Sequence, residues 1–288
     1  MTNFDTIIIG AGFSGLYQLH RCRDDLNLKT LVIEEGSDLG GTWYWNTYPG
    51  ARCDSESHTY GYTFSENIYK NWTWNEKYPK QSKILKYLNY VEKKLNLRKN
   101  ILFNHKIISA KYLERKNLWQ IKTNKKKVLF CKYLICAVGS LSAANIPKIK
   151  GLNKYKGKYY HTGKWPKKKV NLKNQVVAQI GTGSSGIQVA PEIAKVVKKL
   201  VIFQRTPNYS IPARNKKLTR EFIINFKKDY EKIKKILKKT PGGHIFSFPN
   251  RSVFDFNDKE RNKIFEKAWS KGSLAFRACF SDITKNIK

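Results

Sequence analysis

Acidic residues are scarce in this chain: 21 Asp and Glu stand against 56 Lys and Arg over 288 residues, a formal net charge of +35. Cysteine is sparse as well. Cys22, Cys53, Cys131, Cys136 and Cys279 fall at irregular spacing, odd in number and without a metal-type pair. That pattern argues against a disulfide scaffold and a Cys/His metal site. It fits the reducing cytosol, so a cytoplasmic location is expected. Long apolar runs are missing too. No segment approaches the roughly 20 residues of a membrane span, and the longest candidate, Val196 to Phe203, is broken by Lys198 and Lys199. No secretory leader is seen, since Met1-Thr-Asn-Phe-Asp5 leads straight into an apolar strand.

What is present is ordinary globular composition, 41% hydrophobic and 13% aromatic. The length suits about two domains. The basic excess invites a nucleic-acid role. It is mainly lysine, however, spread from Lys70 to Lys288, and it travels with Asn, Ile, Tyr and Phe, which share A/T-rich codons. No specific nucleic-acid recognition motif accompanies it. A solvated lysine-rich surface is expected, with attraction of anionic cofactors as the alternative use of the charge.

Apolar runs and glycine loops alternate along the chain. Thr6-Ile-Ile-Ile-Gly10 has the pattern of a buried parallel strand. Ser14 to Leu26 is expected as a helix with Leu16 and Leu19 facing the sheet, and Thr30 to Glu34 as the next strand. Gly36 to Tyr62, rich in Gly, Trp, Tyr and Pro, predicts an ordered loop region. Gln81 to Asn96 predicts a helix, Ile101 to Phe130 a small meander, and Lys132 to Gly139 another buried strand. Beyond Ile146-Pro147 a basic linker leads into a second unit: strand Gln175 to Ile180, helix Gly186 to Val197, strand Lys199 to Gln204. Leu218 to Leu237 carries apolar residues at helical spacing and predicts one inserted amphipathic helix, with Asp258 to Trp269 as another.

Two glycine loops carry the chemistry, Gly10-Ala-Gly-Phe-Ser-Gly15 and Gly181-Thr-Gly-Ser-Ser-Gly186. Alone, such a loop is a weak signal. Here each has a strand before it and a helix after it. In the first, Gly10 allows the tight turn, Gly12 lets the backbone approach a pyrophosphate, and Gly15 allows close helix–strand packing, with the helix N-terminus facing the negative charge. Glu34, 24 positions after Gly10, ends the next strand and suits ribose hydroxyls. After the second loop the matching place holds Arg205 and Thr206. An arginine there suits the 2′-phosphate of NADP by a charge-assisted fork, so NADPH is expected over NADH. Two dinucleotide sites suggest that one cofactor hands electrons to the other. Trp43, Trp45 and Tyr48 could wall a flavin ring or serve as core. Asp54 is either a surface carboxylate or a neighbour of that ring. His161 by itself reads as a core or surface histidine.

Between the loops, Tyr155-Lys-Gly-Lys-Tyr-Tyr-His-Thr-Gly-Lys-Trp-Pro166 resembles the F-x-G-x-x-x-H-T-x-x-W-P fingerprint of Baeyer–Villiger monooxygenases, with Tyr155 in place of Phe. GGTWYWNTYPGARCD looks like their FAD-binding half, and GTGSSGIQ with QRTPNYSIPARN like their NADPH domain. The resemblance covers essentially the whole chain. It implies an α/β fold with two dinucleotide-binding Rossmann-like domains, both incomplete on the C-terminal side. The expected division is an FAD-binding segment 1–145, a linker 146–174 bearing the fingerprint, and a partial NADPH-binding domain 175–288 with a helical insertion from about 215.

Carried over by resemblance, FAD contacts Gly15, Glu34, Thr42, Trp43, Trp45, Asp54 and Tyr60, with the Ile107 backbone by the adenine. NADPH contacts Arg52, Cys53 and Asp54, then Thr182, Gly183, Ser184, Ser185, Gly186, Ile187, Gln188, Arg205 and Thr206. Gly157, His161, Trp165 and Pro166 form the fingerprint hinge, and no metal is implied. The implied reaction inserts one oxygen atom of O2 into a small-molecule ketone through a C4a-peroxyflavin, giving an ester or lactone. The protein supplies position and charge. In the family an arginine stabilises the developing anion, and the aspartate matching Asp54 orients it.

That arginine lies in a K/R-R-P segment, and nothing here matches it. Arg251, Arg261 and Arg277 fall in the inserted region. The chain is therefore expected to be the N-terminal half of a longer enzyme, with open strand edges, uncovered apolar faces, weak flavin retention and little ketone oxidation on its own. The alternatives are a related flavin monooxygenase acting on amine or sulfide and a non-catalytic nucleotide-binding remnant.

Overall fold

The computed structural model describes residues 4–246 and 249–283. The chain divides into two compact units. One comprises residues 1–51, 81–177 and 189–199, the other residues 52–80, 178–188 and 200–288.

The first unit is built on β1 (Phe4–Ile9), β2 (Thr30–Ile33), β3 (Ile101–Leu102), β4 (Ile107–Leu113), β5 (Leu118–Thr123) and β6 (Val128–Cys136). They form one sheet in the order β3-β2-β1-β6-β5-β4. β1 pairs in parallel with both β2 and β6, whereas β4–β5 and β5–β6 are antiparallel. The central strand is apolar on both faces because both faces are covered, as parallel strands require. Ile7 enters a cluster with Ile33, Ile121, Leu129 and Cys131. Ile8 and Val32 on the opposite face are equally inaccessible, and α1 (Phe13–His20) packs on β1 and β2. α4 (Gln81–Leu95) buries Ile84, Tyr87, Leu88 and Val91, the spacing of one helical stripe. Before it come α2 (Thr42–Trp45) and α3 (Glu66–Asn71).

The second glycine loop joins β7 (Val176–Ile180) to α5 (Ser184–Ala194), and β8 (Lys199–Phe203) follows. β7 and β8 make a two-stranded sheet. Lys198 N–H donates to Gln175 O (2.9 Å) where both strands begin, and Gly181 N–H to Phe203 O (2.9 Å) where both end, so the strands run parallel. One face of β7 is left open: Val176 and Ile180 are 66% and 70% exposed, and Phe203 of β8 is 57% exposed. Downstream lie α6 (Arg220–Lys228), α7 (Tyr230–Lys239) and α8 (Asp258–Lys271).

Four local expectations change. The buried strand expected over Lys132–Gly139 is the second half of β6, which begins at Val128, and its Tyr133 is 58% exposed. The helix over Ser14–Leu26 is α-helical only to His20 and continues as a π-turn over Arg21–Asp25, where Leu26 N–H reaches back five residues to Arg21 O. The single helix over Leu218–Leu237 is two, broken at Asp229 (φ −82°, ψ 18°). The apolar spacing runs on through that break, so periodicity alone could not reveal it. The loop region Gly36–Tyr62 contains the one-turn helix α2, too short for a periodic signal.

Because Ile7 is fully buried in the sheet cluster, Ile7→Ala should cost about 2–5 kcal/mol. Urea unfolding should show this as a lower midpoint at unchanged slope. A change under 1 kcal/mol would contradict this placement of the core.

Candidate dinucleotide sites

The two loops repeat one geometry. Gly10 has φ +99° and Gly181 φ +95°, a region that L side chains avoid. Gly10 N–H donates to Ile33 O (2.8 Å) as Gly181 N–H does to Phe203 O. Leu16 N–H donates to Gly12 O and Ile187 N–H to Gly183 O, each at 3.0 Å, so both helices begin at the third residue of their loop. A helix that starts directly on a glycine loop in this way is the arrangement that suits a pyrophosphate. A Cβ on Gly181 or Gly183 would meet no atom within 4 Å. The second loop is thus open to close approach, and its residues fit a nucleotide. At the first loop a Cβ on Gly15 would stand 1.8 Å from Gly10 O, so strand and helix cross where only hydrogen fits.

Glu34 follows β2 and is 4% exposed. Its Oε2 accepts from Ala11 N–H and its Oε1 from Gly36 N–H, both at 2.7 Å. The carboxylate therefore braces the glycine loop, and each oxygen keeps a second lone pair. Gly40 N–H donates to Ala11 O (2.9 Å), and Gly41 (φ +53°) lies back to back with Gly12. That contact starts α2 beside the loop, with Thr42 at its first position and Trp43 7% exposed. Gln81 Nε2 donates to Trp43 O. Tyr44 and Trp45 meet edge to face at 4.9 Å.

The fingerprint segment comes to the same helix. Lys167, the residue after Pro166, bonds Tyr44 O and sets its Nζ 4.0 Å above the Tyr44 ring and 5.6 Å from that of Trp45. Burial pushes the Lys167 ammonium pKa down. His161 accepts from Gly163 N–H (3.1 Å), and Trp165 packs against Tyr160 at 5.5 Å. The Tyr155 ring lies over Gly157, where a Cβ would collide with it. Ile107 opens β4 opposite Thr123 and packs on the sheet core.

Arg52, Cys53, Asp54 and Tyr60 belong to the other unit, together with Thr182 to Gln188. Gln188 brackets Arg52: its Oε1 accepts from Arg52 N–H and its Nε2 donates to Arg52 O, both at 3.2 Å. Residues 136 positions apart thus meet, with Gln188 on the helix that follows the second loop. Arg52 also lies 3.8 Å from Glu76. Asp54 is exposed, and Tyr60 N–H is turned back to Ser57 O (3.0 Å). Arg205 and Thr206, both exposed, are flanked by Gln204 and Asn208. The amides of these two donate to Thr182 Oγ1 at 2.8 and 3.1 Å. Sequence reasoning gave no role to Gln204 or Asn208. Their signal was membership of the QRTPNYSIPARN stretch, just beyond the strand that ends at Phe203.

Burial pushes the Cys53 thiol up to about 12 and that of Cys131 to about 11. Neither is a nucleophile near neutral pH. Among the described residues no group of His, Cys, Asp and Glu could hold a metal ion, and no helix is long and apolar enough to cross a membrane.

Residues 5–245 match the family described as flavin-binding monooxygenase-like. The chain is 38% identical over 270 residues to a Baeyer–Villiger monooxygenase of Pseudooceanicola batsensis, covering 94% of this chain and 49% of that protein. It superposes on cyclohexanone monooxygenase from Rhodococcus sp. Phi1 bound to NADP+ with a TM-score of 0.96 at 39% identity, covering 99% of this chain and 54% of that one. The OTEMO complex with FAD and NADP matches with a TM-score of 0.94 at 34% identity, covering 99% and 55%. The chain spans about half the length of the curated relatives it matches.

Two measurements check the site. Gly15→Ala forces a methyl into Gly10 O and should destabilise by about 1–3 kcal/mol or more, read as a lower Tm. An unchanged Tm would contradict the close crossing. In thiol labelling at pH 8, exposed Cys136 should react at once and Cys53 and Cys131 only on unfolding. Labelling of native Cys53 at the rate of Cys136 would contradict its burial.

Proposed function

Since the chain belongs to the flavin-binding monooxygenase-like family, we propose that it carries the FAD and NADPH sites of a Baeyer–Villiger-type monooxygenase. The repeated strand–glycine–helix geometry carries this reading most directly. One copy ends on a carboxylate, Glu34, and the other on a guanidinium, Arg205. The proposed division keeps FAD with residues 1–145, the fingerprint hinge with 146–174 and NADPH with 175–288. A bound flavin would supply the hydride-accepting and oxygen-transferring chemistry, with NADPH as the reductant.

The chain's own residues bind and orient. Loop amides of Gly12 to Gly15 face the FAD pyrophosphate, and Glu34 accepts from the ribose hydroxyls. Trp43 and Trp45, on a helix pinned to the first loop, wall the ring and exclude water. Arg52, clasped by Gln188, stands with Cys53 and Asp54 on the NADPH side, and Arg205 with Thr206 grips the 2′-phosphate. Asp54 is proposed to orient the arginine that steadies the anion formed as the ketone is attacked. Oxygen transfer to a ketone, giving an ester or lactone, is proposed for the protein that joins these two sites to such an arginine.

Arg205→Ala should weaken NADP+ binding about 10- to 100-fold, the worth of one charge-assisted phosphate contact, with NAD+ binding nearly unchanged. Calorimetric titration of both nucleotides reads this, and an equal loss for both would contradict the assignment. The reaction class is tested by product analysis, with cyclohexanone and a thioether side by side, of the flavin-loaded protein that joins these two sites to such an arginine. Lactone formed with one NADPH consumed per product supports the proposal. Sulfoxide alone favours a related flavin monooxygenase acting on sulfide or amine, and nucleotide binding without either product favours a non-catalytic remnant.

A further inference from the structure

The two glycine loops differ at one place that their shared motif hides. Two residues before its first glycine, the first repeat has Ile8, fully buried in the sheet. The second repeat has Gln179 at that place. The Gln179 side chain turns into its own loop, where Nε2 donates to Gly181 O at 2.9 Å and to Gly186 O at 3.1 Å. Both hydrogens of the amide are used. Its Oε1 is buried with no hydrogen-bond partner.

The amide occupies a gap that the first loop lacks. A Cβ on Gly15 would stand 1.8 Å from Gly10 O, but a Cβ on Gly186 would stand 2.6 Å from Gly181 O and 3.1 Å from Gln179 Nε2. The second crossing is wider, and the glutamine closes it by tying the first carbonyl of the loop to a carbonyl in the first turn of α5. A buried unpaired acceptor is unfavourable, and isoleucine, the choice of the first repeat, would carry no such burden. The polar residue therefore does something other than fill the sheet.

We propose that Gln179 is a positioning residue of the second dinucleotide site. It holds the Gly181–Gly186 loop in its binding shape before the ligand arrives, so that the amides of Gly183 to Ser185 converge on the pyrophosphate without a cost of ordering. The proposal rests on the reading that this loop binds NADP(H). It makes the two sites unequal: the first loop is set by backbone packing, the second by a side chain that mutation can release.

The test uses the purified chain and NADP+. Gln179→Ile installs the residue that the first repeat tolerates. Gln179→Glu keeps the shape but sets a carboxylate against two carbonyl oxygens. The proposal expects at least tenfold weaker NADP+ binding for Q179I, about 1.4 kcal/mol, and a larger loss for Q179E. It also expects faster hydrogen exchange at the amides of residues 183–186, with those of residues 12–15 unchanged. A purely structural glutamine would lower Tm and leave the affinity of the folded protein as it was, which would overturn the proposal. Should Q179I fail to fold, Q179E decides by the same affinity and exchange readings. If the unaltered chain binds no NADP+, the nucleotide reading itself fails. If it binds and both variants bind equally well, that reading stands and Gln179 has no positioning role.

Discussion

The contact between the first carbonyl of a glycine loop and the first turn of the helix that follows sets everything else in this protein. At Gly10 and Gly15 the approach leaves room for hydrogen alone. That crossing sets the helix against β1 and β2. Glu34 then bridges the loop from below through two 2.7 Å bonds. Gly40–Gly41 docks on the loop's outer side and launches the aromatic helix. An ordinary side chain at Gly15 would disturb all three at once.

Charge separates the two copies. A carboxylate ends the strand after the first loop and a guanidinium the strand after the second. A carboxylate suits neutral ribose hydroxyls, and a guanidinium suits an extra phosphate. The same backbone device is thus followed by groups of opposite charge.

The glycine loops, their flanking strands and the acid at Glu34 were legible because each is local: a few adjacent residues dictate a turn, a buried strand or a cap. Arg205 was singled out by the same local reasoning and lies exposed just beyond β8. The clasp of Gln188 on Arg52 was invisible from spacing, because 136 residues separate the partners and no periodicity links them; only the family resemblance put them in one site. The π-turn after His20 and the break at Asp229 were missed because apolar spacing continues across both. Gln179 was missed for a different reason. A single polar residue in an apolar strand looks like noise until its amide is seen bonded to two carbonyls.

The central claim is that one chain holds two nucleotide sites of different kind. Native mass spectrometry of the chain with FAD and NADP+ together tests it most directly. The account predicts a ternary species with one FAD and one NADP+ per chain, alongside each binary complex. A chain that takes either nucleotide but never both, with each displacing the other, would contradict it.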